Sequence, residues 1–484
     1  MISLPTSMRA SCDCKAGSKH MTRQAAITTA ETYFDSKHFH QDLARRVAIP
    51  TESQNPERCD ALQTYLQDEL TPALEAMGFT CTVYPNPKAG GPLLIASRVE
   101  DAALPTVLSY GHGDVIRGLD AQWKAGLSPW RLIEDGEKLY GRGTADNKGQ
   151  HSINLGAIQS VLSARGKLGF NLKLLIETGE EMGSPGLNDF CRVHKDALTA
   201  DVFIASDGPR LSPERPTIFL GSRGSLNFDL TVELRAGAHH SGNWGGLIAD
   251  PGIILNHAIA SITDTRGTIR VPEWRPADIP QSVRTALSDC DPSGGDEAPT
   301  IDLDWGEPGL SPAERVFGWS SFAVLAMKVG NPDFPVNAIA GKAWARCQLR
   351  FVVGTDPNDI VPALRRHLAR EGFTDVSVTA TREEVMNATR LDPDSPWVKF
   401  AVASITKTTG KKPAILPNLG GSLPNEVFTE TLGLPTVWIP HSYSACSQHA
   451  PNEHMLAPIA REGLQIMAGL FWDLGEASLR PTIY

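Results

Sequence analysis

Residues 106–114 read TVLSYGHGD: an apolar run of strand length, Thr106–Tyr110, stops at Gly111-His112-Gly113-Asp114. Three similar runs, Leu93–Ser97, Leu172–Ile176 and Val202–Ala205, surround it, too short for helices and bounded by Gly, Asp or Glu. Between them, Lys148–Arg165 carries Ile153, Ala157, Ile158, Val161 and Leu162 at helical spacing. This alternation predicts an α/β layer domain with buried central strands.

Outward from this block the pattern changes. Ser225–Leu234 alternates strictly, with Leu226, Phe228, Leu230, Val232 and Leu234 on one face and polar residues on the other. Such a strand belongs to a half-solvated antiparallel sheet. Asp250-Pro251 predicts a helix start, running to about Ile262. A second such unit follows: Ala343–Val352 alternates, Asp356-Pro357 opens a helix to about Glu371, Gly372 closes it, and Val376–Ala380 is a strand. Two strand–helix units predict a small ferredoxin-like α+β domain. Residues 272–312 hold seven prolines and many Asp and Gly, and read as a long irregular insertion. After about residue 395 the α/β character returns, with a strand at Thr436–Ile439 and a final helix near Pro458–Leu474.

The 484 residues give ample length for two or three domains, and 41% hydrophobic with 21% charged residues describes a globular chain. A net charge of −10 argues against a nucleic-acid partner, and no apolar run approaches a membrane span. Eight cysteines are too sparse for a disulfide scaffold, and the Cys12-x-Cys14 pair has no second pair near it. Residues 1–20 lack the apolar core of a signal peptide and read as a leader or tail before Met21; the expected compartment is the cytoplasm.

Five short segments hold most of the chemically capable side chains: Gly111–Asp114, Gly143–Gly149, Glu177–Glu181, Ser206–Gly208 and His449–Glu453. Each alone has a plain reading as surface pair, helix cap, solvated face or turn. Together they differ, because three follow predicted strands, and the carboxyl edge of an open α/β sheet is where ligand sites form. Two histidines and three carboxylates without a thiolate suit Zn²⁺, Mn²⁺ or Co²⁺. Five ligands exceed one catalytic zinc's needs, so two ions sharing a carboxylate is the expectation.

In this order, the five segments resemble the signature of the metal-dependent dipeptidase, aminoacylase and glutamate-carboxypeptidase family. That family includes acetylornithine deacetylase, succinyl-diaminopimelate desuccinylase and carnosinase-type dipeptidases. The resemblance spans the chain from about residue 40 to the C-terminus. It implies a three-layer α/β/α di-metal hydrolase domain, residues 21–220 and 391–484, interrupted by a lid and dimerisation domain, residues 221–390. It makes Asp146 the bridge between two metal ions, Zn²⁺ first and Mn²⁺ or Co²⁺ otherwise. His112 and Asp207 would hold one ion, Glu181 and His449 the other. Glu180 would be the general base acting on a metal-bridging water, with Asp114 orienting His112 and a cis peptide at Asp146-Asn147. It further implies a homodimer in which His240, in His240–Gly246, stabilises the oxyanion in the partner's site. That segment also reads as a plain glycine-rich turn. Asn337 and Arg350 resemble substrate contacts on the lid, though Arg350 equally fits the surface of a half-exposed strand.

Gly420-Gly421-Ser422-Leu423-Pro424 resembles the loop that cradles a substrate carboxylate, through Gly421 and Ser422. Carnosinase-type members carry an Arg and an acidic residue before these glycines, where this chain has Asn418 and Leu419. The expected reaction is hydrolysis of an amide or peptide bond in a dipeptide or N-acyl amino acid. The missing Arg keeps an alternative open: a specialised amidohydrolase or deaminase acting on an aryl or xenobiotic substrate. His441 lines the same pocket or serves the fold.

Overall fold

The computed structural model describes residues 22–88, 90–293, 299–381 and 385–476. The expected leader, with Cys12 and Cys14, lies outside them. An eight-stranded mixed sheet organises the larger part of the chain. Its order is Thr80–Tyr84, Leu93–Arg98, Asn171–Glu177, Thr106–His112, Val202–Ala205, Thr436–Trp438, Thr217–Phe219 and Ala414–Leu416. Thr106–His112 runs parallel to both Asn171–Glu177 and Val202–Ala205, so these three strands end at one edge.

Each face of this sheet is buried, which explains why its strands are nearly continuous apolar runs. One face packs under the helices Arg23–Asp35, Lys148–Arg165, Pro396–Thr409 and Ala457–Leu474, through residues such as Ile153, Ile158, Leu174, Leu464 and Phe471. The other packs around Tyr110, Phe203, Phe428 and Trp438. The result is a three-layer α/β/α arrangement. Lys148–Arg165 begins and ends where the sequence predicts, and Gly166 closes it at φ +76°.

A second, four-stranded antiparallel sheet has the order Ser321–Val329, Lys342–Phe351, Gly224–Glu233, Val376–Ala380. With the helices Pro251–Ile262 and Ile360–Arg370 it forms a β-α-β-β-α-β unit, the ferredoxin-like connectivity. Leu226, Phe228, Leu230 and Val232 face its core, as their alternation requires.

Two expectations need correction. The helix expected from Asp356-Pro357 starts at Ile360, because Asp356 instead accepts the Asn358 N–H in a local turn. Residues 272–312 need only a partial correction: most of the described ones are turns and bends, as expected, but two short elements among them pack into the cores. Pro272–Trp274 forms a turn whose Trp274 enters the core of the small sheet, and Gln281–Leu287 is a helix. Val283 and Leu287, four apart on one face, pack with Ile279 and Phe317 against Leu416 and Leu419 of the large unit. Seven prolines obscured a segment whose apolar residues join both cores. Residues 294–298 lie outside the described residues.

Trp274 is fully buried, and its indole N–H donates to the Ile360 carbonyl at 3.0 Å. Trp274→Ala should therefore cost about 3–5 kcal/mol of unfolding free energy, read by urea denaturation. A loss below about 1 kcal/mol, the range of surface substitutions, would show that this segment contributes nothing to the core.

Candidate metal centre and pocket

The three parallel strands deliver their ends to one place. His112 is the last residue of its strand, Asp207 follows Ala205 by two residues, and Glu180 and Glu181 sit in a turn three residues beyond the end of Asn171–Glu177. Asp146 lies just before the helix Lys148–Arg165, and the Asp146–Asn147 peptide bond is cis. The start of that helix is packed so closely that a Cβ at Gly149 would lie 1.9 Å from the Thr144 carbonyl oxygen, so only glycine fits.

These side chains form two trios that share Asp146. His112, Asp146 and Asp207 offer one ligand atom each within 4.8 Å of one another, and so do Asp146, Glu181 and His449. His112 Nε2 stands 2.9 Å from Asp146 Oδ1 and 3.7 Å from Asp207 Oδ2. His449 Nε2 stands 3.2 Å from Asp146 Oδ2 and 3.0 Å from Glu181 Oε2. The two oxygens of one carboxylate thus face different trios. The first trio is buried, whereas the His449 side chain is 55% exposed, so the second trio is open on one side.

The charges are far from balanced. Burial raises the Glu181 carboxyl to about 7 and the Asp207 carboxyl to about 6, in both cases assisted by the charge of Asp146. Burial also pushes Glu180 well above the carboxylate range. Asp146 is buried too, yet hydrogen bonds from His112 and His449 hold it below that range. Its own hydrogen bonds to Asp146 and Glu181 raise His449 to about 10. Asp207 Oδ2 is buried without a hydrogen-bond partner. A donor set of imidazole nitrogens and carboxylate oxygens, with an orphaned oxygen among them, fits borderline divalent cations.

Other residues hold this set in place. The Asp114 carboxylate accepts the Glu180 and Glu181 backbone N–H groups at 3.2 and 3.1 Å, and its Oδ1 lies 3.4 Å from His112 Nδ1. Glu453 is buried against Arg142 at 2.8 Å and accepts N–H groups from Gly143, Ala145 and Asp146. Gln448 Nε2 donates to Asp146 Oδ2. Sequence reasoning assigned no role to Glu453 or Gln448. The signal for Glu453 was its place in the fifth segment, but only the fold shows that its carboxylate organises the bridging loop.

A cavity of about 450 Å³ opens beside the trios. Asp146, Glu180, Asp207 and His449 line one part, and Arg350, Gly420, Gly421 and Ser422 another. Arg350 Nη1 donates to Ser422 Oγ at 3.2 Å, so Arg350 belongs to the cavity and not to an open strand surface. Asn418 turns inward, its amide donating to the Ser222 and Thr389 carbonyls. His441 is fully buried against Gly463, and does not line the cavity. A second arginine, unnoticed in the sequence, borders the loop: Arg223 donates Nε and Nη2 to the Gly420 carbonyl at 2.9 and 2.8 Å. Its position between glycines, where the large unit meets the alternating strand, was the available signal.

His240 and Asn337 are brought together elsewhere. His240 pairs with Ala338, and Asn337 O accepts the Ser241 N–H at 2.9 Å. Both are exposed and neither lines the cavity of its own chain.

Comparison with known proteins identifies the family and the fold. Residues 108–473 match the Peptidase family M20/M25/M40. Beta-Ala-His dipeptidase of Homo sapiens is 34% identical over 409 residues, 80% of this chain and 78% of that protein. The match to the Mus musculus protein of that name, also 34% identical, spans only 37% of each chain. The crystal structure of an M20 family metallo-carboxypeptidase from Sulfolobus solfataricus has the same fold, with TM-score 0.75 and 24% identity over 90% of this chain and 99% of that one.

Because cations must displace protons from this cluster, affinity should rise with pH. Below pH about 6–7 the raised Glu181 and Asp207 carboxyls carry protons that metal must expel. Calorimetric titration with Zn²⁺ or Mn²⁺ should then show affinity gaining about tenfold per pH unit for each proton released between pH 5 and 7. Affinity independent of pH would contradict the cluster as ligand set.

Proposed function

The chain belongs to peptidase family M20/M25/M40 and is a metal-dependent peptidase, and from that premise we propose that it hydrolyses dipeptides at two ions held by the trios that meet at Asp146. The observation carrying this reading is that one carboxylate faces two complete trios. His112, Asp146 and Asp207 would hold one divalent ion, and Asp146, Glu181 and His449 the other. The donor set favours Zn²⁺, with Mn²⁺ or Co²⁺ next. Once bound, the ions supply Lewis acidity, polarising the scissile carbonyl and making water a nucleophile near neutral pH.

The remaining work falls to side chains. Glu180 lines the cavity together with Asp146 and Asp207, and its raised affinity for a proton suits a base that accepts one from water and returns it to the leaving amine. Asp114 fixes the turn that carries Glu180 and steadies the His112 ring. Arg350 and Ser422, with the Gly421 backbone, face the far part of the cavity and suit the peptide's carboxylate. Asn418 does not compete for that role. The dipeptide reading is therefore preferred over an aryl amide or a deamination.

His240 would complete the site of a partner subunit in a homodimer, beside Asn337. Its Nδ1 accepts the Gly242 N–H at 3.2 Å, which leaves the proton on Nε2 and makes that nitrogen a donor suited to an oxyanion. Ser321–Val329 is an edge strand with Val324, Leu325, Met327 and Val329 exposed, and Trp244 and Leu247 are exposed as well. An unprotected apolar edge of this kind favours pairing with another chain.

Glu180→Gln should lower kcat by about 10²–10⁴-fold while elemental analysis still finds both ions; loss of metal would instead make Glu180 a ligand. Leu325→Lys with Met327→Lys should yield monomers by analytical ultracentrifugation and reduce kcat about a hundredfold, the effect of losing one oxyanion donor. A fully active monomer would exclude a role for the partner's His240.

A further inference from the structure

Around the glycine loop that lines the cavity with Arg350 there is a charge imbalance of its own. Arg223 is buried with 6% of its surface exposed, and Arg350 is half-buried beside it. Neither guanidinium forms an ion pair among the described residues, where most other buried arginines, such as Arg142 and Arg210, have a glutamate. Burial pushes the Arg223 guanidinium down to about 9, and the neighbouring Arg350 charge adds to the effect. Two adjacent desolvated cations without an acid are costly unless something else supplies the negative charge.

Arg223 also ties down the glycine loop. Its N–H donates to Leu419 O at 3.1 Å, and its guanidinium grips Gly420 O through two nitrogens. Its own carbonyl accepts Ser422 Oγ at 2.8 Å, and Nη1 donates to Ser321 Oγ at 3.1 Å. The Ser422 hydroxyl is thereby held where Arg350 also reaches it.

We propose that Arg223 is the positioning residue of the cavity's anion-binding end: it fixes the Gly420-Gly421-Ser422 loop and, with Arg350, provides two positive charges that the substrate's terminal carboxylate neutralises. The inference rests on the dipeptidase reading and deepens it. It assigns to Arg223, distant in sequence from the glycines, the charge that Asn418 cannot provide. The fork geometry matters, since one guanidinium satisfies a carbonyl through two bonds and a lysine cannot. Phe317, Leu419 and Leu423 also line the cavity, which suits a substrate with an apolar side chain.

The test compares L-leucine with L-leucinamide by calorimetry on the metal-loaded protein, a readout independent of turnover. The wild type should bind L-leucine at least about tenfold tighter than the amide, as expected for a charge-assisted hydrogen bond. In Arg223→Met that preference should collapse to within about threefold while amide binding is unchanged, and Arg223→Lys should recover part of it. Kinetically, KM for glycyl-L-leucine should rise in Arg223→Met with kcat nearly kept. If Arg223→Met does not fold, Arg223→Lys carries the same comparison, and a preference equal to wild type there overturns the proposal. So does equal weakening of acid and amide, the mark of a purely structural role, and so does a wild type that binds both alike. A wild type that prefers L-leucine through Arg223 but cleaves no dipeptide supports this proposal and overturns the dipeptidase reading.

Discussion

The structure is organised around a concentration of negative charge that a folded protein would not tolerate without compensation. Asp114, Asp146, Glu180, Glu181 and Asp207 converge at one edge of the large sheet, where His112 and His449 are the ion-pair partners among the described residues. Carboxylates buried in this way either take up protons or bind cations. The raised Glu181 and Asp207 carboxyls reflect the first outcome, and the paired trios are built for the second. The parallel strands make the arrangement possible, because neighbouring strands that run the same way bring residues far apart in sequence to a single edge.

Much of the surrounding structure keeps that edge rigid. Glu453 gathers three backbone N–H groups in the loop that carries Asp146, and Asp114 gathers two in the glutamate turn. A ligand set gains affinity when its members need not be ordered on binding, so these acceptors would serve a bound cation without touching it. The glycine loop repeats the logic with reversed sign, since among the described residues neither Arg223 nor Arg350 has an acid as ion-pair partner. On the proposed reading, such a cavity, with carboxylates in one part and a guanidinium in another, would orient a short peptide with its carboxylate at the arginines and its scissile bond at the cation site.

The clustering of the candidate ligands was legible in the sequence because they occupy strand ends and a helix start, and strand ends are announced by apolar runs breaking at Gly, Asp or Glu. The small sheet was legible for a related reason: Leu226 to Val232 alternate, and alternation has one structural meaning. What escaped notice has no local signature. Ser321–Val329 leaves residues of both faces exposed, so no period-two pattern marks it. Val283 and Leu287 are too few and too close to prolines to declare a helix. Asp356 resembles a helix cap but satisfies a nearer N–H first. Arg223 is an ordinary basic residue until folding places it under the glycine loop, nearly 200 residues away in the chain.

The central claim is that Asp146 joins two cations through its two oxygens. The most direct measurement is a crystal structure of the metal-loaded protein with anomalous scattering recorded at the zinc or manganese edge. The account predicts two anomalous peaks, one within coordinating distance of His112 and Asp207 and the other of Glu181 and His449, with the Asp146 carboxylate between them. A single peak, or two peaks with Asp146 bound to only one, would contradict it.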